Sequence, residues 1–341
     1  ARQWRPECPV NELFAKYCDV VTNPCSEILL NAGYSDDVNK CGYGVGFCNL
    51  TTLPIQNFVE NTKDGYVLNL KRLEKAVRNI TRIGLRQTCV NMPSSELDVT
   101  QKEERLLGVS ATGWRMAFDM LGWQTGDYNI HDLQVNMNHW ANDEATQYAK
   151  ELGVKRPLLV TCIKPEGTGS KVFGSSDGLH WDWAPHYIRR VQMSTTDALA
   201  KALKGQGFIW TPTPYDLDAL IDSNDSEVTT WDRIEKFNAM PDVEKDEVFD
   251  KSNAVLFAFP IKSPAKVSQG DVTALEQLDN MQSFADNYTD HMPSSTITVK
   301  DGEWSDVANW IHDNWDSYIT ASFLSYFNGS YPLLPCEDIT E

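Results

Sequence analysis

The chain has 341 residues, enough to bury one large core or two ordinary ones, and 41% hydrophobic with 11% aromatic residues is a globular composition. The 48 acids against 30 bases leave a net charge of −18, which argues against a nucleic-acid backbone or an anionic membrane as partner. No run approaches the roughly 20 apolar residues of a membrane span, and the opening ARQWRPECPVNELF carries no apolar secretion signal, so a cytoplasmic setting is expected. Cysteines at 8, 18, 25, 41, 48, 89, 162 and 336 have neither the density of a disulfide scaffold nor the CxxC pairs of a zinc site, and most should be thiols.

In chain order, NPCSEILL, a Gly/Asp/Asn-rich stretch over 31–46 and FCNLTTLPI read as strand or loop, excursion and strand. Leu73, Val77, Ile80 and Ile83 recur at helical spacing, and a second such run over Leu106–Leu121 predicts another helix. A third helix over about 136–152 precedes LLVTCI (158–163), suited to a buried strand, which leads into the glycine-rich KPEGTGSKVFGSSDG. Strands are predicted at 186–193, 253–261 and 295–299, and the acidic stretch 216–250 reads as a surface insertion. The alternation is α/β, and with no repeat, low-complexity segment or linker the chain reads as one unit over 1–341.

Two constellations could carry chemistry. In Asn23-Pro24-Cys25-Ser26-Glu27, alternate positions hold an amide, a thiol and a carboxylate, which extended backbone would present to one side. A carboxylate can accept a proton, an amide can orient hydroxyls, and a thiol can react by one or two electrons. A turn with a buried cysteine and a solvated glutamate is the plainer reading of those five residues. The second constellation is Lys164-Pro165-Glu166-Gly167-Thr168-Gly169-Ser170, after a strand and opening a helix. Its glycines permit close backbone approach, its N–H groups can face a phosphate, and Thr168 and Ser170 add hydroxyls. It lacks the spacing and ending of a Walker loop, and a plain Gly-rich turn is the alternative. The six histidines form no metal-ligand pattern, so no metal site is expected.

NPCSEI followed 23 positions later by Cys48-Asn49-Leu50 resembles the finger-loop signature of ribonucleotide reductases. RLLGVSATGWRMAFDMLGW (105–123), KPEGTGSKVFGSSDGLHWDWAPHYIRRV (164–191) and the ending over 295–340 resemble further segments of that family in its order, most like the adenosylcobalamin-dependent, monomeric-type class II members. The resemblance implies the C-terminal half of a ten-stranded α/β barrel, with a finger loop over about 20–50 and a phosphate loop over about 164–176. It makes Cys25 the thiyl radical, Glu27 the base for the ribose 3′-hydroxyl, Asn23 a substrate hydrogen-bonding group and Cys48 one of two reducing thiols. The phosphate-binding residues would be Pro165, Glu166, Gly167, Thr168, Gly169 and Ser170, although many relatives have serine where Glu166 stands.

In the family the partner of Cys48 comes from the N-terminal half of the barrel, so a second polypeptide supplying it is expected, as is an external dithiol such as thioredoxin. Cys8, Cys18, Cys41, Cys89, Cys162 and Cys336 read as structural or incidental. Three alternatives stand beside this reading. A class I catalytic subunit would take its radical from another protein; a glycyl-radical enzyme needs a glycine loop that YFNGS (326–330) matches poorly; a nucleotide-binding module could keep the motifs without turnover. No Tyr-Tyr pair of the kind that relays a radical in class I chains occurs, which favours adenosylcobalamin.

Overall fold

The computed structural model describes residues 20–31, 46–222, 225, 227–317, 320–326 and 332–340. Cys8, Cys18, Cys41, Tyr318 and Tyr331 lie outside them, as do residues 327–330 of the YFNGS segment. Backbone contacts group the chain into two compact units, the described residues up to Asp182 with those from Pro264 to Tyr326, and Trp183–Ser263 with 332–340. The sequence reads as one unit because no Gly/Ser-rich stretch or charge run marks the crossings at Asp182–Trp183 and Ser263–Pro264.

The first unit opens with a hairpin of β1 (Val20–Thr22) and β2 (Leu29–Asn31), antiparallel with Thr22 opposite Leu29. After β3 (Asn49–Pro54) and a second hairpin, β4 (Val59–Thr62) with β5 (Gly65–Leu68), comes helix α1 (Leu70–Gln87). Asn69 caps α1 by accepting from Arg72 N–H at 3.1 Å. Its buried stripe is Leu73, Val77, Thr81, Gly84 and Leu85. Ile80 packs beside that stripe, whereas Ile83, expected on it, faces out.

Helix α2 (Ser95–Glu104) then gives way to β6 (Leu107–Thr112), and only after Gly113 does helix α3 (Trp114–Leu121) begin. The predicted helix over 106–121 is therefore half strand. Every residue of β6 is buried, so no polar alternation betrays its period, and Gly113, at φ 72°, makes the switch. Helix α4 (Tyr128–Leu152) starts a full two turns before the predicted position, with Ile130, Leu133, Met137, Ala141, Ala145 and Ala149 buried along one side.

Beside β6 runs the extended segment 158–163, through Leu107 N–H to the Leu159 carbonyl (3.0 Å) and Val109 N–H to the Val160 carbonyl (2.8 Å). It forms single parallel bridges, Val109 to Thr161 and Ile163 to Pro293, where a longer strand was predicted. The short helix α5 (Gly169–Phe173) follows. From Pro293 the chain continues into a strand at Thr296–Val299, which pairs in parallel with Ser322–Ser325. Five parallel segments thus line up in the order 49–54, 107–112, 158–163, 293–299 and 322–325. Leu53, Leu107, Val109 and Ala111 turn one face of this wall into the main core, against α1 and α4.

The second unit holds β7 (His186–Ser194), α6 (Ala198–Gly205), β8 (Trp210–Pro212), α7 (Pro214–Leu220), α8 (Thr230–Ala239), α9 (Asp242–Lys251), β9 (Ala254–Lys262) and a last strand at Cys336–Asp338. Its antiparallel sheet runs Cys336–Asp338, β7, β9, β8. Leu217, Ile234, Phe237 and Phe249 are buried, so the acidic stretch 216–250 builds core as well as surface. In the first unit the strands at Thr296–Val299 (β10) and Ser322–Ser325 (β11) are joined through helix α11 (Trp304–Asp313), and helix α10 (Ala274–Asn287) precedes them. No helix among the described residues is long and apolar enough to cross a membrane.

Candidate active site

Asn23-Pro24-Cys25-Ser26-Glu27 forms the tip of the β1–β2 hairpin, and its backbone is a turn, not extended. Ser26 sits at φ 63°, and its N–H returns to the Asn23 carbonyl at 2.9 Å. Asn23, Cys25 and Glu27 therefore do not share one face as alternation would require. Asn23 folds back, its Oδ1 accepting from Ile28 N–H at 3.1 Å, which leaves its Nδ2 for another acceptor. Cys25 is exposed at the tip. Glu27 is 3% exposed, and its Oε2 is buried without a hydrogen-bond partner, which rules out a solvated glutamate.

The wall beneath the hairpin carries the other thiols. A Cβ built on Gly108 would stand 2.2 Å from a Leu50 methyl, 3.0 Å from the Cys162 sulfur and 3.1 Å from the Ile28 end, so these groups meet on the face opposite the main core. Cys48, two residues before Leu50, shares that face by alternation and packs with Leu29, Leu106, Leu159 and Met292. Burial pushes the Cys48 thiol well up, and the Glu27 and Glu104 carboxylates push it further. The Cys162 thiol, fully buried, is raised by burial first, then by Cys48, Glu27 and Glu166, with Lys164 acting in the opposite direction. Cys162 therefore lies between the two constellations named from sequence, and they flank one surface.

In the glycine-rich loop, Glu166 has φ 58° and is 4% exposed. One carboxylate oxygen lies 3.2 Å from Lys164 Nζ, and the other sits where a Cβ on Gly169 would be, 2.6 Å away. Ser170 is buried, with its Oγ donating to the Glu166 carbonyl at 2.7 Å and bonded to Asp177, so its hydroxyl is already engaged. Gly167 and Thr168 are exposed at the loop's crest. The loop is tied to β6 by Gly113 N–H to the Ser176 carbonyl (3.1 Å) and Gly178 N–H to Thr112 Oγ1 (3.0 Å). Gly178, at φ 47°, places its Cα where any Cβ would fall 2.6 Å from the Lys164 carbonyl.

Three groups at this surface were not singled out from sequence. Ser176 Oγ is buried without a partner. Glu104 ends α2, fully buried, near enough to Cys48 to raise its thiol. His291 binds Leu29 N–H at its Nδ1 (3.1 Å) and the Leu107 carbonyl at its Nε2 (2.9 Å). No short motif marks Glu104 or His291, because each acts across a long separation in sequence. Among the described residues no cluster of three or more His, Cys, Asp or Glu could hold a metal ion.

Residues 19–158 match the family model "Ribonucleotide reductase, barrel domain". That segment is a ribonucleotide reductase barrel domain, and the chain is a distant homologue of adenosylcobalamin-dependent reductases over part of its length. The adenosylcobalamin-dependent ribonucleoside-triphosphate reductase of Lactobacillus leichmannii is 26% identical over 197 residues, 56% of this chain and 22% of that protein. Its counterpart in Lacticaseibacillus paracasei is 23% identical over 218 residues, 62% of this chain and 24% of that protein. The chain thus spans under a quarter of these relatives' length in the matched region.

Among solved structures, a B12-dependent (class II) ribonucleotide reductase superposes with a TM-score of 0.66 at 22% identity, covering 95% of this chain and 41% of that one. The class Id alpha subunit of Actinobacillus ureae gives 0.51 at 13%, covering 90% and 53%. Both show the fold alone.

Proposed function

We propose that this chain is the C-terminal catalytic part of a ribonucleotide reductase that converts ribonucleotides to 2′-deoxyribonucleotides by radical chemistry. The observation that carries the reading is the hairpin tip, where an exposed Cys25 thiol stands two residues before a Glu27 carboxylate that is buried with one oxygen unpartnered. A buried acceptor without a donor in the protein is suited to a donor on a ligand. In the proposed reaction the Cys25 sulfur radical takes the ribose 3′-hydrogen while Glu27 accepts the 3′-hydroxyl proton and Asn23 donates from Nδ2. The 2′-hydroxyl leaves as water, two electrons come from Cys48 and a second thiol that end as a disulfide, and Cys25 returns its hydrogen to C3′.

The substrate's phosphates sit against the 165–170 loop. There Gly167, Thr168 and Gly169 offer backbone N–H groups and Thr168 its hydroxyl. Glu166 shapes the crest from beneath, its charge held by Lys164.

The wall of five parallel segments is one half of a ten-stranded barrel. An N-terminal polypeptide closes it and supplies the second thiol, and an external dithiol such as thioredoxin restores both. Adenosylcobalamin, the cofactor named for the relatives, would supply the radical that takes the hydrogen from Cys25, and an exposed thiol at a hairpin tip fits that demand. The test is anaerobic incubation of the completed enzyme with ribonucleotide, dithiol and adenosylcobalamin. Deoxyribonucleotide should form with the natural chain and not with Glu27→Gln. Nucleotide binding without any turnover would favour a non-catalytic module.

A further inference from the structure

In the hairpin that carries Cys25 and Glu27, strand β2 has two edges. One is paired with β1, through the register Thr22 to Leu29. The other docks on a short segment between the core helix α10 and strand β10. There Met292 N–H donates to the Glu27 carbonyl at 3.1 Å, and His291 N–H donates to the Thr161 carbonyl at 2.9 Å. Met292 also accepts from Ile163 N–H at 3.2 Å. These bonds are backbone to backbone and would form with almost any residue at 291 and 292. The imidazole adds a link that they do not make. It is 1% exposed, accepts from Leu29 N–H of β2 at Nδ1, and meets the Leu107 carbonyl of β6 at Nε2, 2.9 Å away. A carbonyl can only accept, so Nε2 carries the hydrogen and Nδ1 the lone pair.

We infer that His291 is a positioning residue: in its neutral Nε2–H form it bolts the hairpin to β6 and thereby sets how far Cys25 and Glu27 reach over the face that carries Gly108 and Cys162. The ring is rigid, so it fixes the separation of β2 and β6 at a point two residues from the Glu27 carboxylate. Burial keeps the imidazole neutral, its pKa lowered to about 4 although Asp290 pulls the other way. As the catalytic role of the hairpin rests on the reductase reading, the experiment separates the two.

Asparagine can place an amide oxygen near Nδ1, and glutamine can place an amide nitrogen near Nε2. His291→Asn should therefore keep the bond to Leu29, while His291→Gln should keep only the bond to Leu107. Amide hydrogen exchange is followed at Leu29 in the natural chain and both variants, with kcat and KM measured in the completed enzyme. Leu29 protection should survive in His291→Asn and fall by about tenfold or more in His291→Gln, with kcat falling in the same order at unchanged KM. Equal Leu29 protection in His291→Gln and the natural chain overturns the inference, as does equal loss of kcat in both variants. If no chain turns over substrate but the exchange order holds, the bolt stands and the reductase reading falls.

Discussion

At the scale of single residues, the hairpin tip divides labour between a thiol in the open and a carboxylate in the dark. Cys25→Ser should leave nucleotide affinity unchanged and lower turnover by several orders of magnitude, because an oxygen radical is too energetic to form and be regenerated as a sulfur radical is. Turnover by that variant in the completed enzyme would remove the radical role. Cys48→Ser should instead spare radical formation and stop reduction for want of electrons, a difference that radical spectroscopy can read. Cys25, Glu27, Asn23 and Cys48 stand out in the sequence by motif spacing, which needs no coordinates. Their orientation could not, since Ser26 at φ 63° breaks the alternation that would have aligned them.

His291 was invisible for a different reason: its partners Leu29 and Leu107 are more than a hundred residues away. It makes a prediction of its own. Its folded pKa lies below the ordinary value of 6.5, so between that value and about 4 the unfolded chain binds the extra proton. Stability from the neutral ring is thus complete above pH 6.5 and is lost as pH falls through that window, by about 1.4 kcal/mol for each unit of depression. Half-buried His180, lowered in the same direction by desolvation, adds to the slope. Urea unfolding at pH 7 and pH 5 should show this loss, and His291→Asn should reduce it. An unchanged slope in that variant would mean that His291 does not titrate as its burial demands.

At the scale of elements, what sequence made legible was periodicity exposed to water on one side. Helices α1 and α4 announce themselves by apolar residues three and four apart, and β7, β9 and β10 by β-branched and aromatic runs. Strand β6 does not, because α1 covers one face and the hairpin the other, and six buried residues carry no alternation. Its Gly108 marks a close approach of neighbouring side chains. A methyl there would press on Leu50, Cys162 and Ile28 together. Gly108→Ala should cost about 1–3 kcal/mol of stability and, by lifting Ile28, shift the hairpin and depress kcat more than it raises KM. Thermal unfolding with steady-state kinetics checks both parts, and a variant as active as the natural chain would show that the hairpin does not rest on this strand. The 164–176 loop was legible as a Gly-rich turn, but the burial of Glu166 and the capture of the Ser170 hydroxyl by Asp177 depend on a fold-back that no local pattern encodes.

At the scale of the whole molecule, the decisive feature is that five parallel segments line up as a wall that does not close among the described residues, while the matched relatives are far longer than the matched region. An open parallel wall leaves edges that a completing polypeptide can satisfy. The proposed chemistry points the same way, because reducing one ribonucleotide to a deoxyribonucleotide and water turns two thiols into a disulfide, and the proposal assigns Cys48 as one of them. The chain by itself should therefore reduce no ribonucleotide, and mixing it with a polypeptide that carries the other half of the barrel and its cysteine should restore both activity and a sharper thermal transition. The radical source is decided in the same vessel. With adenosylcobalamin, ribonucleotide and a dithiol under anaerobic conditions, cob(II)alamin absorption should appear together with product. Activity that needs a separate metal-containing radical subunit, and never responds to the cobalamin, would assign the chain to class I. Full activity of the chain alone would show instead that the wall needs no second half.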